Sequence, residues 1–294
     1  MNYCKCSEPK LLRSPSLRKG QSLRWSPYFN DCLQVLQEEK ACENDLTLVQ
    51  MAKFRLVTEK VIDSAFRDAT RPGHFTTIPA SFYIKSLEAE LRECIAATPS
   101  GLLDNSKPIT NNICIIWLLA NNPIELLLLE RYYTEFRIYE IGLSQSSDIF
   151  AEQPNLRLEC LFACLQATKS YCTTLINIDL TQYPGLPALV TGQMTNCFAC
   201  LCRLSMCEQS GWDRDIVNST IDVSFFLQEL EKKYAQVRET VGIDADDFGG
   251  SDYFTIKASK LRSMKASWDA LTLTAISLQE LESFSVDFLD ACSW

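Results

Sequence analysis

Between its prolines and glycines the chain repeats apolar residues at three- and four-residue spacing, and that rhythm confines it to helices. Leu48, Val49, Ala52 and Leu56, beside Met51, Phe54, Val57, Val61, Ile62, Ala65 and Phe66, keep helical spacing over about six turns. Asn44 or Asp45 suits its cap, and Arg71-Pro72-Gly73 ends it. An earlier helix starts at Pro27, with Ser26 as its cap and Leu33 and Leu36 in its stripe. Ile78-Pro79 opens a third, with Tyr83, Leu87, Leu91, Cys94 and Ile95 on one face, closed by Pro99-Ser100-Gly101. Pro108 precedes an apolar helix through Trp117. Pro123 restarts the pattern as Ile124 to Ile141, with Leu128, Tyr132, Phe136 and Tyr139 expected inside.

Pro154 begins a further helix through Leu158, Leu161, Leu165 and Tyr171. After the break Tyr183-Pro184-Gly185-Leu186-Pro187 comes Ala188 to Met206, stopped by Gly211-Trp212-Asp213. Leu227, Leu230, Tyr234 and Val237 form another amphipathic helix, ended by Gly242. No run alternates apolar and polar residues with enrichment in Val, Ile and Thr, so the expected fold class is all-α. No self-similar period of about 20 to 50 residues is present, which favours an irregular multi-helix domain over a solenoid.

With 294 residues, 47% of them hydrophobic, the chain can bury a sizeable core. Its net charge of −9 opposes a general grip on nucleic acid, which needs cations to neutralise phosphates. The charge is uneven. Lys5, Lys10, Arg13, Arg18, Lys19 and Arg24 stand against Glu8 alone in residues 1–24, a local +5 that leaves −14 for the rest. Such an arm suits nuclear import or a phosphate contact, and equally a solvated flexible tail. The expected organisation is a basic arm at 1–24, a helical domain at 25–243, an acidic linker at 244–252 and C-terminal helices with an acidic-hydrophobic tail at 253–294.

No secretory apolar region opens the chain, and the longest apolar stretches, Ile113 to Ala120 and Ile124 to Leu129 with Glu125 inside it, fall far short of the ~20 residues that cross a bilayer. An intracellular chain with no membrane partner is expected. Its fourteen cysteines are then reduced thiols used as small core hydrophobes. In that compartment Asn218-Ser219-Thr220 is not a glycosylation site.

Chemistry-bearing constellations are sparse. Cys197, Cys200, Leu204 and Cys207 share a helical face with apolar neighbours, so packing is favoured over zinc, which needs a second ligand pair. Cys160, Cys164 and Cys172 have the same explanation. Asp244-Ala245-Asp246-Asp247-Phe248-Gly249 lacks the oxygen ligand at position five and the glutamate at twelve of a calcium loop, where Phe248 and Thr255 stand. His74, the single histidine, sits in a turn with no nucleophile elbow, and Gly249-Gly250 lacks the rest of a phosphate loop. No catalytic residue, metal ligand or cofactor is assigned, and an enzyme is not expected. From Trp268 onward Asp269, Glu280, Glu282, Asp287 and Asp290 interleave with Leu278, Leu281, Phe284, Phe288, Leu289 and Trp294, and no basic residue follows Lys265. That mixture fits an acidic activation segment or a terminal helix docked on the domain.

Three stretches carry a family resemblance. Ser22-Leu23-Arg24-Trp25, then Pro27-Tyr28 and a leucine-bearing helix through Leu36, resembles the middle homology region of fungal zinc binuclear cluster transcription factors. Leu127 to Glu140, closing on Ile138-Tyr139-Glu140, and Gly185 to Trp212-Asp213 resemble later parts of that region, and the similarity runs from Ser16 to Ser267. The resemblance implies a helical regulatory domain that acts in the nucleus, with the cytoplasm also open, through protein contacts or small-effector sensing. Its implied partners are proteins of the transcription machinery or a related full-length regulator. Cys4 and Cys6 do not supply the six-cysteine zinc module of that family, so no autonomous sequence-specific DNA binding is expected.

Because the resemblance begins so near Met1, helices that pack on this region in the family are expected to be missing. An exposed apolar patch on the first long helix or near Trp117 should result. The alternative reading is a helical binding protein for a small apolar metabolite, with a closed pocket lined by Trp117, Tyr132 and Phe136.

Overall fold

A computed structural model describes residues 25–41, 45–70, 80–98, 123–144, 150, 153–242 and 253–273. Every regular element among them is helical. In order they are α1 (Pro27–Glu39), α2 (Asp45–Thr70), α3 (Ala80–Ala96), α4 (Pro123–Tyr139), a 3-10 turn (Glu140–Leu143), α5 (Pro154–Asn177), a 3-10 turn (Leu180–Gly185), α6 (Ala188–Met206), α7 (Arg214–Thr220), α8 (Val223–Val241) and α9 (Tyr253–Leu273). The basic arm, Pro108 to Trp117, His74, the acidic linker and the tail from residue 274 lie outside the described residues.

The local stops and starts act as their chemistry requires. Pro27 and Pro154 occupy first-turn positions, where the missing N–H has no helical partner to lose. Asp213 and Asp222 cap α7 and α8, accepting from the N–H groups of Asp215 and Phe225 at 2.9 Å. Gly242 ends α8 in the left-handed region at φ 72°, where its N–H reaches the Arg238 carbonyl.

Packing divides into two apolar clusters that share α4 and α5. The larger joins α4 to α9, with Leu129, Phe136, Leu165, Tyr171, Phe198, Leu201, Leu230 and Leu261 at its centre. The smaller sets Phe54 and Val57 of α2 and Ile84 and Leu87 of α3 against Leu127 and Ile138 of α4 and Cys160 of α5. Helix α4 is thus packed on two flanks, which corrects its expected single stripe: Phe136 is buried, but Leu128, Tyr132 and Tyr139 are half-buried. Leu126, Leu127, Leu129, Tyr133 and Ile138 take the interior instead. The helix also stops two residues earlier than expected and tightens into the 3-10 turn.

On the described side chains of α2 the expected apolar patch is not seen. Among the described side chains the large exposed apolar ones lie on α1, α3, α5, α8 and α9, and none lies on α2, whose apolar face is taken up by α3 and α4. Trp117 lies outside the described residues.

Close approach constrains one glycine. A Cβ on Gly142 would stand 2.9 Å from the Cβ of Cys160 and 3.3 Å from backbone atoms of Arg157 and Leu161, so α5 itself blocks a side chain there. Gly142→Ala is expected to destabilise the fold by ~1–3 kcal/mol, the usual cost of overpacking. A lowered urea midpoint at unchanged slope is the result that checks it.

Candidate functional site

An arginine in the apolar face of α2 and a glutamate inside the leucine run of α4 meet in the interior. The Arg55 and Glu130 side chains are only 11% and 3% exposed. Arg55 Nη2 donates to Glu130 Oε1 at 3.1 Å, while its Nε stands 3.0 Å from Oε2 as an ionic contact without hydrogen-bond alignment. Gln193 of α6 donates to the same Oε1 at 2.9 Å. Tyr171 of α5 donates to the Val190 carbonyl at 3.0 Å and lies 3.3 Å from Gln193 Oε1. The Arg55 guanidinium also sits 5.4 Å from the centre of the Tyr133 ring, whose hydroxyl accepts from Asn196 at 2.7 Å. Burial raises the phenol pKa values of Tyr133 and Tyr171, keeping both neutral.

A second constellation holds the turn after α4. Glu140 pairs with Arg137 of α4 and with Arg203 of α6, and Arg203 Nη2 donates to the Leu143 carbonyl at 2.9 Å. Arg157 of α5 donates to the carbonyls of Gly142 and Ser144 at 3.0 and 3.3 Å. Tyr139 donates to Glu88 of α3 at 3.0 Å, and its own pKa is raised by burial first and by that carboxylate second. The triplet Ile138-Tyr139-Glu140 therefore sends one residue into the smaller core, one to α3 and one to α6. Its sequence pattern has a packing reason.

The other matched stretch also closes a corner. Trp212 donates from Nε1 to the Leu204 carbonyl at 3.0 Å, and its ring lies edge-on to Phe162 at 4.9 Å. Gly211 precedes it at φ 85°, with Leu158 3.0 Å from where a Cβ would stand. Of the signature near the start only Trp25 onward is described: Trp25 donates to Asn30 Oδ1 at 2.7 Å and lies 5.5 Å from the Phe29 ring.

Six of the nine described cysteines are core residues. Cys197 and Cys200 are buried, as are Cys160, Cys164 and Cys172, and Cys164 Sγ lies 3.4 Å from Cys200 Sγ across α5 and α6. Burial pushes the Cys164 and Cys197 thiols well up and the Cys160 thiol up to about 12. Neutral, desolvated thiols pack as hydrophobes. Cys207, the last of the expected face, is only half-buried, because α6 ends at Met206.

Of the residues expected to line a closed pocket, Phe136 has no accessible surface, so no void that admits a water touches it. A groove of roughly 390 Å³ opens instead between α2 and α3, with Leu56, Val57, Cys94 and Ala97 along it and Lys53, Lys60, Glu90 and Glu93 at its sides. Lys60 pairs with Glu90 at 2.5 Å. The sequence reading missed the Arg55 to Glu130 link. Its only trace was a charge at a buried position in each of two otherwise apolar helical faces.

Two measurements check this description. Arg55→Leu should cost ~3–5 kcal/mol by leaving Glu130 buried and unpaired, and adding Glu130→Leu should recover most of that loss in chemical denaturation. In native buffer at pH 8, peptide mapping after thiol labelling should find Cys32 and Cys207 modified. Cys164 and Cys197 should react only in denaturant, since burial hides them and a raised thiol pKa removes the reactive thiolate, and Cys200 should behave alike because it is buried.

Residues 180–289 match a family model described as a C-terminal domain, from an Aspergillus transcription factor family. The chain is 26% identical over 267 residues to the transcription factor opdL of Penicillium oxalicum, covering 90% of this chain and 42% of that protein. It is 24% identical over 239 residues to a transcription factor of Aspergillus terreus, covering 75% of this chain and 37% of that protein. It thus spans less than half the length of these curated relatives. No solved structure matches it. The chain is therefore similar to fungal transcription factors, and its residues 180–289 match the model of a C-terminal domain.

Proposed function

We propose that this chain is the regulatory part of a fungal transcriptional regulator, working in the nucleus through protein contacts and not by reading DNA itself. The observation that carries the reading is similarity to transcription factors along most of the chain, combined with a described body whose polar chemistry is spent on holding helices together. The net charge of −9 adds support, since duplex DNA attracts cationic surfaces. Its partners are proteins of the transcription machinery or a related full-length regulator.

The acidic tail has a narrower boundary than its composition suggested. Trp268 is 5% exposed and meets Phe198 edge-on at 6.0 Å, while Asp269 accepts from Ser224 and pairs with Lys265. These residues belong to docked helix α9 (Tyr253–Leu273), so the activation reading is kept for residues 274–294 alone. Fused to a heterologous DNA-binding domain, residues 274–294 should raise a reporter several-fold, and the whole chain should change it in either direction. A silent reporter with the whole chain, at confirmed expression, would sink the regulatory reading.

Small-effector sensing is a second reading, favoured by the α2–α3 groove with its apolar strip of Leu56, Val57, Cys94 and Ala97. An apolar metabolite bound there should raise the melting temperature of the wild-type chain, and Leu56→Asp should abolish the shift.

A further inference from the structure

Helix α1 is the described helix that buries no residue fully. Thirteen residues are close to the length at which an isolated helix is marginal in water, so α1 depends on what covers it. One side lies against α2, with Phe29, Cys32, Leu33 and Leu36 half-buried. The opposite side carries Tyr28, Asp31, Val35 and Glu38 at spacings of three, four and three, a single helical stripe. Tyr28 is 70% exposed and Val35 49%. The helix holds Asp31, Glu38 and Glu39 and no basic residue before its C-cap Lys40, and Gln34 donates to Glu38 at 2.8 Å, so an apolar and cationic segment suits this stripe.

The chain contains such a segment directly before Trp25. Residues 1–24 carry Arg13, Arg18, Lys19 and Arg24 among six cations, interleaved with Leu11, Leu12, Leu17 and Leu23. We propose that this basic arm docks in cis on the outer stripe of α1, its leucines over Tyr28 and Val35 and its cations against Asp31, Glu38 and Glu39. Helix α1 is ~20 Å long, and 24 residues of extended chain reach up to ~80 Å, so the arm can return along its whole length. Attachment at Trp25 holds it at high effective concentration. The α2–α3 groove is a poorer seat, since its two lysines face two glutamates and Lys60 is already paired. Docked, the cations are withheld from nucleic acid and from import receptors until a partner takes their place on α1.

Hydrogen exchange of the full-length chain tests this. In one variant Arg13, Arg18, Lys19 and Arg24 become Gln; in another Tyr28→Ser and Val35→Ser empty the stripe. Both should speed exchange across residues 27–39 by about tenfold while α5 and α6 keep their protection. An undocked cationic arm beside a helix N-terminus is unfavourable, so its neutralisation would slow exchange. Unchanged or slower exchange in the arm variant overturns the proposal. Carbodiimide coupling of a mixture of normal and ¹⁵N-labelled chain should link Lys10 or Lys19 to Asp31 or Glu38 within one isotope only. Links that join the two isotopes, or none at all, overturn docking in cis.

Discussion

A charged pair in the middle of the bundle decides how its helices meet. Glu130 stands in a leucine run and Arg55 in the apolar face of α2, and neither ion is tolerable there alone. Together they join α2 to α4, and Gln193 and Tyr171 extend the link to α6 and α5. Four helices are thereby placed relative to one another by directional contacts, with apolar packing filling the space between. An apolar core of the same volume tolerates sliding; this one has a fixed register.

The turn at Glu140–Leu143 completes that arrangement. Three arginines from α4, α5 and α6 converge on its carboxylate and carbonyls, and Gly142 lets α5 come within contact of its backbone. Two of the three stretches that carry the family resemblance end on this turn and on the Trp212 corner, both of which close the fold. The resemblance of these two therefore reports architecture, and the proposed regulatory role is to be sought on surfaces and in the tail.

Much of the architecture was legible along the chain. Pro27, Pro154, Ala188 to Met206 and Gly242 mark element ends where expected, because capping and proline chemistry act within one turn. The face of α4 was misread because a stripe drawn from one helix assumes a single neighbour, whereas α2 and α3 cover one flank and α5 and α6 another. The link between Arg55 and Glu130 was invisible for a related reason: 75 residues separate the partners, and nothing local to either charge names the other.

Sequence alone determined an all-helical chain, its breaks, thiols destined for the interior and an acidic body behind a basic arm, since periodicity, capping and charge are properties of neighbouring residues. Tertiary structure decided which flank of α4 meets which core, that Trp268 belongs to a docked helix, and that α1 turns Tyr28, Asp31, Val35 and Glu38 away from α2. Those outcomes depend on what packs against each helix, and packing partners are chosen by shape and charge across the folded molecule.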